Sequence, residues 1–539
     1  MGLNVLLVNA NRMKPAVAPI GLDYVAQVLD AAGHHVELLD LCFVPDAVGA
    51  IGERFAAGRP GPDLVGLTVR NTDDCYFASQ ESFLPLYREV IGALRRHTSA
   101  PLVLGGVGFS VMPEGVMRRL GVRLGIAGDG ETAAVALANA LEQGQSADEV
   151  PGLIYAVDEE DRALPWPELA ANDTGRTIRL QRNAPAFAPL DDLQVMERRW
   201  IDHDRYFREG GQAGIETKRG CAMRCTYCVD PIAKGRRYRL RPVDALLAEI
   251  EALLSNGVDT FHLCDAEFNL PRRHARAVCT ALIERGLHER VRWYTYASPI
   301  PFDYDLAVLL RRAGCVGINF GGDAGNPTML QSLGRVFGVH TLVATADACR
   351  RAGLTFMYDL LLGGPGETRE TLRESIELMK RLEPDCVGAA MGVRLYPGTA
   401  ISQDSLNAGH GRLDPANPHL HGVLTGNDDL VEPVFYLSAA LGDHAVGPDE
   451  QRAASEAEGR RLAGETAVAA VDYLRELVGG DARFFVGGRK GETGANYNYN
   501  DNSELVQEIR QGARGAYWDI LRKLRTGTAP PIALPTVES

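Results

Sequence analysis

The run Lys218-Arg219-Gly220-Cys221-Ala222-Met223-Arg224-Cys225-Thr226-Tyr227-Cys228 places three cysteines within eight residues. Thiolates at that spacing can wrap one corner of a cubane while the loop stays short. Three protein ligands on a 4Fe–4S cluster leave one iron open to a substrate or cofactor, whereas four-cysteine sites usually only carry electrons. A zinc site is the other reading, and it wants a fourth Cys or His at suitable spacing. The next cysteine, Cys264, stands beyond a whole strand–helix unit. The other cysteines are scattered, mostly in apolar stretches, and read as small buried hydrophobes rather than a disulfide framework.

The triad needs a scaffold, and the flanking pattern supplies one. Strand patterns at 215–219, 259–264, 292–297, 315–320, 355–362 and 387–395 alternate with helical patterns between them. This predicts a partial parallel (β/α)6 barrel over 205–400, with its site at the carboxyl ends of the strands. The triad follows the first of those strands. An earlier alternation has strands at 4–9, 35–41, 63–69, 101–105 and 123–127, with helices at 21–32, 83–97 and 131–142. It predicts an open, doubly wound, Rossmann-like sheet over 1–145, whose ligands sit beyond the strand ends. Those ends read Asn9-Ala10-Asn11, Thr68-Val69-Arg70-Asn71, Gly105-Gly106-Val107-Gly108 and Gly128-Asp129-Gly130-Glu131. Glycines there let backbone approach a bulky ligand. Residues 146–204, punctuated by prolines, read as a linker with a short hairpin. Residues 401–539 read as a mainly α C-terminal cap over the substrate, with helices near 449–478 and 503–525.

The composition sets outer limits. Of 539 residues, 45% are hydrophobic and 23% charged, which excludes global disorder, a collagenous repeat and a coiled coil. A formal charge of −14 argues against a general nucleic-acid binder. No apolar run approaches the ~20 residues that span a bilayer, and residues 1–25 lack the pattern of a secretion signal. The expectation is a cytoplasmic chain with no nucleic-acid or membrane partner.

CxxxCxxC with an aromatic, Tyr227, before the last cysteine resembles the radical S-adenosylmethionine superfamily over about 205–400. In that family the open iron is chelated by the amino and carboxylate groups of S-adenosylmethionine. The resemblance implies that Glu267, in Asp265-Ala266-Glu267, lies near the methionine amine. A carboxylate there would accept charge-assisted hydrogen bonds, while an ordinary helix N-terminal acid is the plainer reading. Asn319 stands where relatives often have the Glu of Gly-x-Glu. Arg335, in Ser332-Leu333-Gly334-Arg335, matches a segment whose Arg meets the cofactor carboxylate; a solvated helix residue is the alternative. Gly363 and Gly364 match a turn that admits adenosine, with Glu367 beside it as a helix cap. Tyr396, in Tyr396-Pro397-Gly398-Thr399, matches the close of the sixth strand.

An open sheet before such a barrel resembles the cobalamin-binding members of the superfamily, here over about 3–145. Gly21 in Pro19-Ile20-Gly21-Leu22, the pair Gly105-Gly106 and the run Gly128–Glu131 carry the match. The resemblance implies cobalamin contacts at Asn9, Ala10, Gly21, Thr68, Arg70, Asn71, Gly105, Gly106, Gly108, Gly128, Asp129, Gly130 and Glu131. Many cobalamin domains place a cobalt-ligating His after the first strand, but here the loop reads Asn9-Ala10-Asn11-Arg12-Met13. Cobalamin is therefore expected with its own base displaced and no protein His on cobalt. Arg70 cannot be a ligand, because a guanidinium stays protonated; beneath cobalt it would favour the electron-rich Co(I) state through space. Pairing with Asp73, Asp74 or a corrin amide is the alternative.

Together these features resemble the cobalamin-dependent (class B) radical S-adenosylmethionine methyltransferases. The resemblance implies C-methylation of a small molecule with a 4Fe–4S cluster, methylcobalamin and S-adenosylmethionine, and catalytic roles for Arg70, Tyr227 and Glu267. Arg70 extends it to the tryptophan 2-C-methyltransferases of thiopeptide antibiotic biosynthesis, in which the indole attacks without hydrogen abstraction. The alternatives are a non-methylating rearrangement or cyclisation and a cofactor-binding sensor. An external electron donor of flavodoxin or ferredoxin type and a monomeric state are expected. Trp518, Tyr497, Tyr499, Phe484 and Phe485 are candidate substrate walls, with aromatic core packing as the alternative.

Overall fold

The computed structural model describes residues 2–170, 179–184, 187, 189–191, 193, 195–442, 455–487 and 502–528. The strands β1 (Asn4–Asn9), β2 (His35–Asp40), β3 (Leu64–Thr68), β4 (Leu102–Gly105) and β5 (Leu124–Ile126) lie parallel in the order β2-β1-β3-β4-β5. β1 is buried at every position after its first, as a strand covered on both faces must be. Val5, Leu7 and Ile126 face the helices Ile20–Ala31 and Glu131–Gln143. Leu6, Val8 and Leu67 face the helices Ala47–Ala56 and Leu84–Arg95.

The hairpin expected in 146–204 forms, but it belongs to this sheet. β6 (Leu153–Ala156) pairs antiparallel with β5, and β7 (Leu180–Arg182) pairs antiparallel with β6. All four residues of β6 are buried, so the segment is anchored by its apolar side chains rather than acting as a free linker.

The second sheet opens with β8 (Ala213–Ile215). A hairpin of β9 (Lys218–Arg219) and β10 (Arg239–Leu240) carries the cysteine triad on its loop. Then come β11 (Thr260–Leu263), β12 (Arg292–Ala297), β13 (Cys315–Asp323), β14 (Phe356–Leu362) and β15 (Cys386–Met391). β16 (Val393–Arg394), β17 (Leu420–Gly422) and β18 (Val434–Tyr436) form a small antiparallel sheet above β15 in sequence. β19 (Phe484–Val486) returns to pair parallel with β15, so the barrel sheet runs β8-β11-β12-β13-β14-β15-β19.

Two expectations change. The first barrel strand ends at Ile215 rather than 219, because Lys218 and Arg219 are taken by the hairpin that closes the triad loop. The C-terminal region is more than a cap: it contributes β19, and Trp518 plugs the barrel's base. Trp518 packs with Tyr294, Met357, Cys386 and Phe485, and a Cβ at Gly317 would sit 3.1 Å from its ring. Trp518, Phe484 and Phe485 are core residues, not substrate walls, because they cluster with the first halves of the strands. Tyr497 and Tyr499 lie outside the described residues. Among the described residues no helix is long and apolar enough to cross a membrane.

Three buried contacts lock the first sheet onto the barrel. Asp23 accepts from Arg198 at 2.8 Å and meets His203 at 2.9 Å, while Glu249 takes Arg198, Arg241 and Tyr24 at 2.5–2.7 Å. Glu131 takes both terminal nitrogens of Arg219 at 2.6 and 3.0 Å, and Asp129 pairs with Arg239. Asp73 accepts from Arg394 at 2.8 Å with both side chains buried. Beside that pair, Phe77 wedges edge-on against His421 and Phe435.

Candidate active site

The triad loop is braced at both ends. The Cys221 N–H donates to the Gly235 carbonyl at 3.0 Å and the Thr226 N–H to the Leu333 carbonyl at 3.1 Å. Gly220 (φ +87) and Gly334 (φ +73) adopt left-handed backbone against Arg237 and Arg224 respectively, where a side chain would clash with backbone. Cys221 is buried and Cys225 and Cys228 are half-buried. Burial, then the charges of Glu267, Asp230 and Cys225, pushes Cys221 up to about 11; burial, then Asp230 and the other two thiols, raises Cys228. Three facing thiols that resist ionisation need a strong local cation to become ligands together, and iron supplies it. Among the described residues no three His, Cys, Asp or Glu side chains converge on one ion-sized point. Cys264 turns toward His262 inside the barrel, at 3.7 Å from its Nδ1, and does not complete a zinc site with the triad.

Around Cys225 the charges are dense. Arg335 donates to the Cys225 sulfur at 2.9 Å and to the Gly321 carbonyl at 2.6 Å, and lies 3.3 Å from Asp323 and 3.9 Å from Glu267. Tyr227 donates to Asp323 at 2.6 Å. Arg335 is thus a buried residue bonded to a triad sulfur, not a solvated helix residue. Glu267 is no helix cap: burial pushes its carboxyl up to about 7, and its Oε2 has no hydrogen-bond partner. Lys218 is buried 3.7 Å from Asp265, and its Nζ has none either. Buried polar atoms without partners mark where a charged group fits. A carboxylate oxygen there can accept from a cofactor ammonium or serve the triad's open iron.

Several neighbours differ from expectation. Asn319 sits mid-strand, donating to Asp359 at 2.6 Å, because β13 continues to Asp323; Asp323 (φ +58) occupies the strand end beside Tyr227 and was missed. Gly363 and Gly364 are packed: a Cβ at Gly363 would run into Leu437, and one at Gly364 would meet Leu333 at 3.3 Å. Glu367 does not cap the next helix. Thr368 does, while the Glu367 carboxylate accepts from the Gly363 N–H. Tyr396 reaches the loop after β3, with its hydroxyl 2.9 Å from the Cys75 sulfur.

Beside the triad, a cavity of about 500 Å³ opens between the two sheets. One end is an apolar channel between the first sheet and its covering helices, lined by Val5, Leu7, Gly66, Val103, Ala134 and Leu137. The other end is polar. There it meets Asn9, Gly21, Thr68, Arg70, Gly105, Gly106, Gly128, Asp129, Gly130 and Glu131, all expected. An apolar slot with a polar mouth suits a large amphipathic group such as cobalamin. Ala10, Asn71 and Gly108 do not line the cavity. Ala10 is core, Asn71 lies 3.8 Å from the Met13 sulfur, and Gly108 packs under the Arg70 backbone, where a Cβ would stand 2.6 Å from its carbonyl. Asp129 and Glu131 spend their charges on Arg239 and Arg219. Arg70 lines the cavity without an ion pair among the described residues; its Nη1 lies 3.4 Å from the Met13 sulfur, and Asp73 is taken by Arg394. His34 and His35 stand at the far end of β1, against Leu3 and Asn4.

The barrel side of the cavity was missed. His262, Cys264, Tyr296 and Tyr517 line it. Period-two alternation in β11 marks His262 and Cys264 as facing inward, opposite Phe261 and Leu263 in the core. His262 stacks on Tyr294 at 4.6 Å, and burial with the charges of Lys234 and Arg70 drops its pKa to about 3, so the imidazole is neutral. No local signal announces Tyr517, which arrives from the C-terminal helix and donates to the Gly210 carbonyl at 2.8 Å.

Comparison with known proteins matches this arrangement. Residues 7–138 match the B12 binding domain and residues 215–379 the Radical SAM superfamily. The chain is 32% identical to the tryptophan 2-C-methyltransferase of Streptomyces laurentii, over 95% of each chain. The chain belongs to the cobalamin-dependent radical S-adenosylmethionine methyltransferases. As one of these methyltransferases it is an enzyme that uses a 4Fe–4S cluster, cobalamin and S-adenosylmethionine, and it methylates rather than rearranges its small-molecule substrate. TsrM from Kitasatospora setae, a radical S-adenosylmethionine methyltransferase solved with tryptophan substrate and a SAM analogue, superposes at TM-score 0.82 with 31% identity over 98% of both chains. The cobalamin-dependent radical enzyme OxsB shares the fold at 16% identity and TM-score 0.63, over 98% of this chain and 80% of its own.

Proposed function

We propose that this methyltransferase transfers a methyl group to carbon 2 of the indole of tryptophan, by a polar route, in the biosynthesis of an antibiotic. The observation that carries the polar route is Arg70: a guanidinium at the cavity wall with no carboxylate partner among the described residues. The relationship to the tryptophan 2-C-methyltransferase of Streptomyces laurentii supports the substrate. Bound cobalamin supplies a transferable methyl group, which S-adenosylmethionine renews.

The protein's own contribution is placement and charge. The apolar channel accepts the cofactor's apolar flank, and Gly105 keeps the mouth open. Arg70 would hold a fixed positive charge at the cavity wall, where it would favour the electron-rich form of a cobalamin that has given up its methyl group. The Asn9–Met13 loop brings no imidazole to that face. Cys221, Cys225 and Cys228 hold the cluster; Arg335 fixes Cys225, Tyr227 fixes Asp323, and Glu267 offers its free oxygen beside them. This reading carries a cobalamin-binding unit over 1–145, a barrel over 205–400, an external electron donor, and a monomeric cytoplasmic chain.

Anaerobic incubation with tryptophan, S-adenosylmethionine and methylcobalamin, followed by mass spectrometry, tests it. The product should be one methyl heavier, with about one S-adenosylhomocysteine per product and almost no 5′-deoxyadenosine. Losing ~1–3 kcal/mol of charge stabilisation, Arg70→Leu should slow transfer about 5- to 150-fold. Stoichiometric 5′-deoxyadenosine with an active Arg70→Leu enzyme would overturn the polar route, and no methylated indole would overturn the substrate.

A further inference from the structure

Two carboxylates follow Arg70 closely, in Arg70-Asn71-Thr72-Asp73-Asp74, and either could neutralise it. The fold commits both elsewhere. Asp74 is turned into its own loop, where it accepts from the Ser79 hydroxyl and from the Tyr76 and Glu81 N–H groups at 3.1 and 3.2 Å. Asp73 is fully buried and accepts from Nε and Nη2 of Arg394 at 3.2 and 2.8 Å. Arg394 is itself fixed. It sits in β16 opposite Phe435 of β18, donates to the Leu395 and Leu430 carbonyls, and lies over the Tyr396 ring at 4.6 Å. The same part of the chain grips the loop at two further alternate positions. Tyr396 meets Cys75, and Phe77 packs so close to Gly392 that a Cβ there would stand 2.5 Å from its ring. The segment that begins at Arg70 is therefore held from the far side of the interface, and Arg70 stays at the cavity wall without an ion pair among the described residues.

We propose that Arg394 is a positioning residue for methyl transfer: by holding Asp73 in the interface, it keeps that carboxylate from cancelling the charge that Arg70 presents to bound cobalamin. The inference rests on the reading that Arg70 favours Co(I) across the cavity wall. Three residues of chain span at most about 10 Å, so Asp73 cannot be remote from Arg70. At that separation and an effective dielectric of about 20, one elementary charge shifts a charge-changing equilibrium about 10- to 20-fold. An intact ion pair presents little net charge at that range, because cation and anion offset each other. Removing one partner does more than loosen the interface. It uncovers a charge, and the sign of that charge depends on which partner is left. A purely mechanical lock carries no such sign. Nor does locking alone call for ions here, since a buried pair is seldom more stable than apolar residues of the same size.

The test uses the full-length holoenzyme. The Co(II)/Co(I) equilibrium of bound cobalamin is read by anaerobic spectroelectrochemistry and by the Co(II) electron paramagnetic resonance signal, at about pH 8, where a carboxylate near a guanidinium stays ionised. Arg394→Met leaves Asp73 unpaired and should lower the ratio of Co(I) to Co(II) at a fixed potential about tenfold, a midpoint shift of about −59 mV for one electron. Asp73→Asn leaves Arg394 unpaired and still protonated, and should raise the ratio by a similar factor. The double variant Asp73→Leu with Arg394→Met should return to the wild-type ratio, and its methyl transfer rate should return with it. Where Arg394→Met does not fold, Asp73→Asn and the double variant carry the test. Unmoved potentials at equal cobalamin loading, or shifts of the same sign in both single variants, would leave a mechanical lock only and overturn the proposal. Arg70→Leu checks the reading beneath it and should lower the ratio at least as far as Arg394→Met. A potential unmoved by Arg70→Leu would overturn the role of Arg70 and the proposal with it. A shift in Arg70→Leu with none in Asp73→Asn would overturn the role of Arg394 alone.

Discussion

Gly105 separates ligand exclusion from structural damage. It ends β4 and lines the cavity, and the nearest heavy atom to a Cβ built on it is the Ile126 carbonyl oxygen at 3.9 Å. The protein therefore has room for a side chain there, and what a side chain would fill is the cavity itself. Gly105→Ala should leave apo stability unchanged or raise it by ~0.5–1 kcal/mol, because glycine is unfavourable inside a strand. It should cost little cobalamin affinity. Gly105→Phe should also fold, but its ring must enter a space of about 500 Å³ that one ligand is meant to fill. Overpacking of that kind costs ~1–3 kcal/mol, which is about a 5- to 150-fold loss in affinity. The assay is cobalamin retained per chain after anaerobic reconstitution and gel filtration, with iron content and apo melting temperature as controls. Neighbouring Gly106 serves as the contrast. At φ +101, with a would-be Cβ 2.7 Å from the Thr68 hydroxyl and Val69 carbonyl oxygens, its substitution should lower stability itself. Wild-type cobalamin retention in Gly105→Phe would refute the assignment of this cavity.

Replacing Cys221, Cys225 and Cys228 with Ala should abolish bound iron and the brown absorbance while the chain still folds; retention of about four irons per chain would show the cluster lies elsewhere. Asp73→Ala leaves Arg394 buried without its partner and should cost ~3–5 kcal/mol in urea unfolding, whereas Asp73→Leu with Arg394→Met should recover part of it; no loss in the single variant would mean the pair does not lock the domains. Acid should weaken the same interface in two stages. Burial holds His203 below its usual 6.5, so the unfolded chain takes up that proton first and stability declines as pH falls below about 6.5. Burial opposes ionisation of Asp23, but the His203 hydrogen bond and the Arg198 charge outweigh it and lower its pKa below 3.8, so its contribution is present above that value and is lost as pH falls through the folded one. A stability–pH profile unaltered by Asp23→Asn would contradict this.

The sequence alone determined whatever is local along the chain. Three cysteines in one loop, strand and helix periods, glycines at strand ends and the lack of a histidine after the first strand are all set by residues within a few positions of one another. They were enough for both α/β units, the position of the triad and the family, and they singled out Arg70, which lines the cavity. Tertiary structure decided which of those residues face a ligand. Gly105 opens on the cavity with room for a side chain, Gly106 lines it but is packed against Thr68 and Val69, and Gly108, Gly363 and Gly364 are held by close packing, a difference that depends on chain tens of residues away. Arg335 was legible as a candidate cofactor contact, but only the fold shows it bonded to the Cys225 sulfur, 110 residues distant. Asp323 became visible only once β13 was seen to run four residues past Asn319. Tyr517 and Trp518 adjoin in sequence, yet one lines the cavity and the other plugs the barrel base. A helix turns successive side chains to different sides, and only its docking on the barrel settles which side meets what.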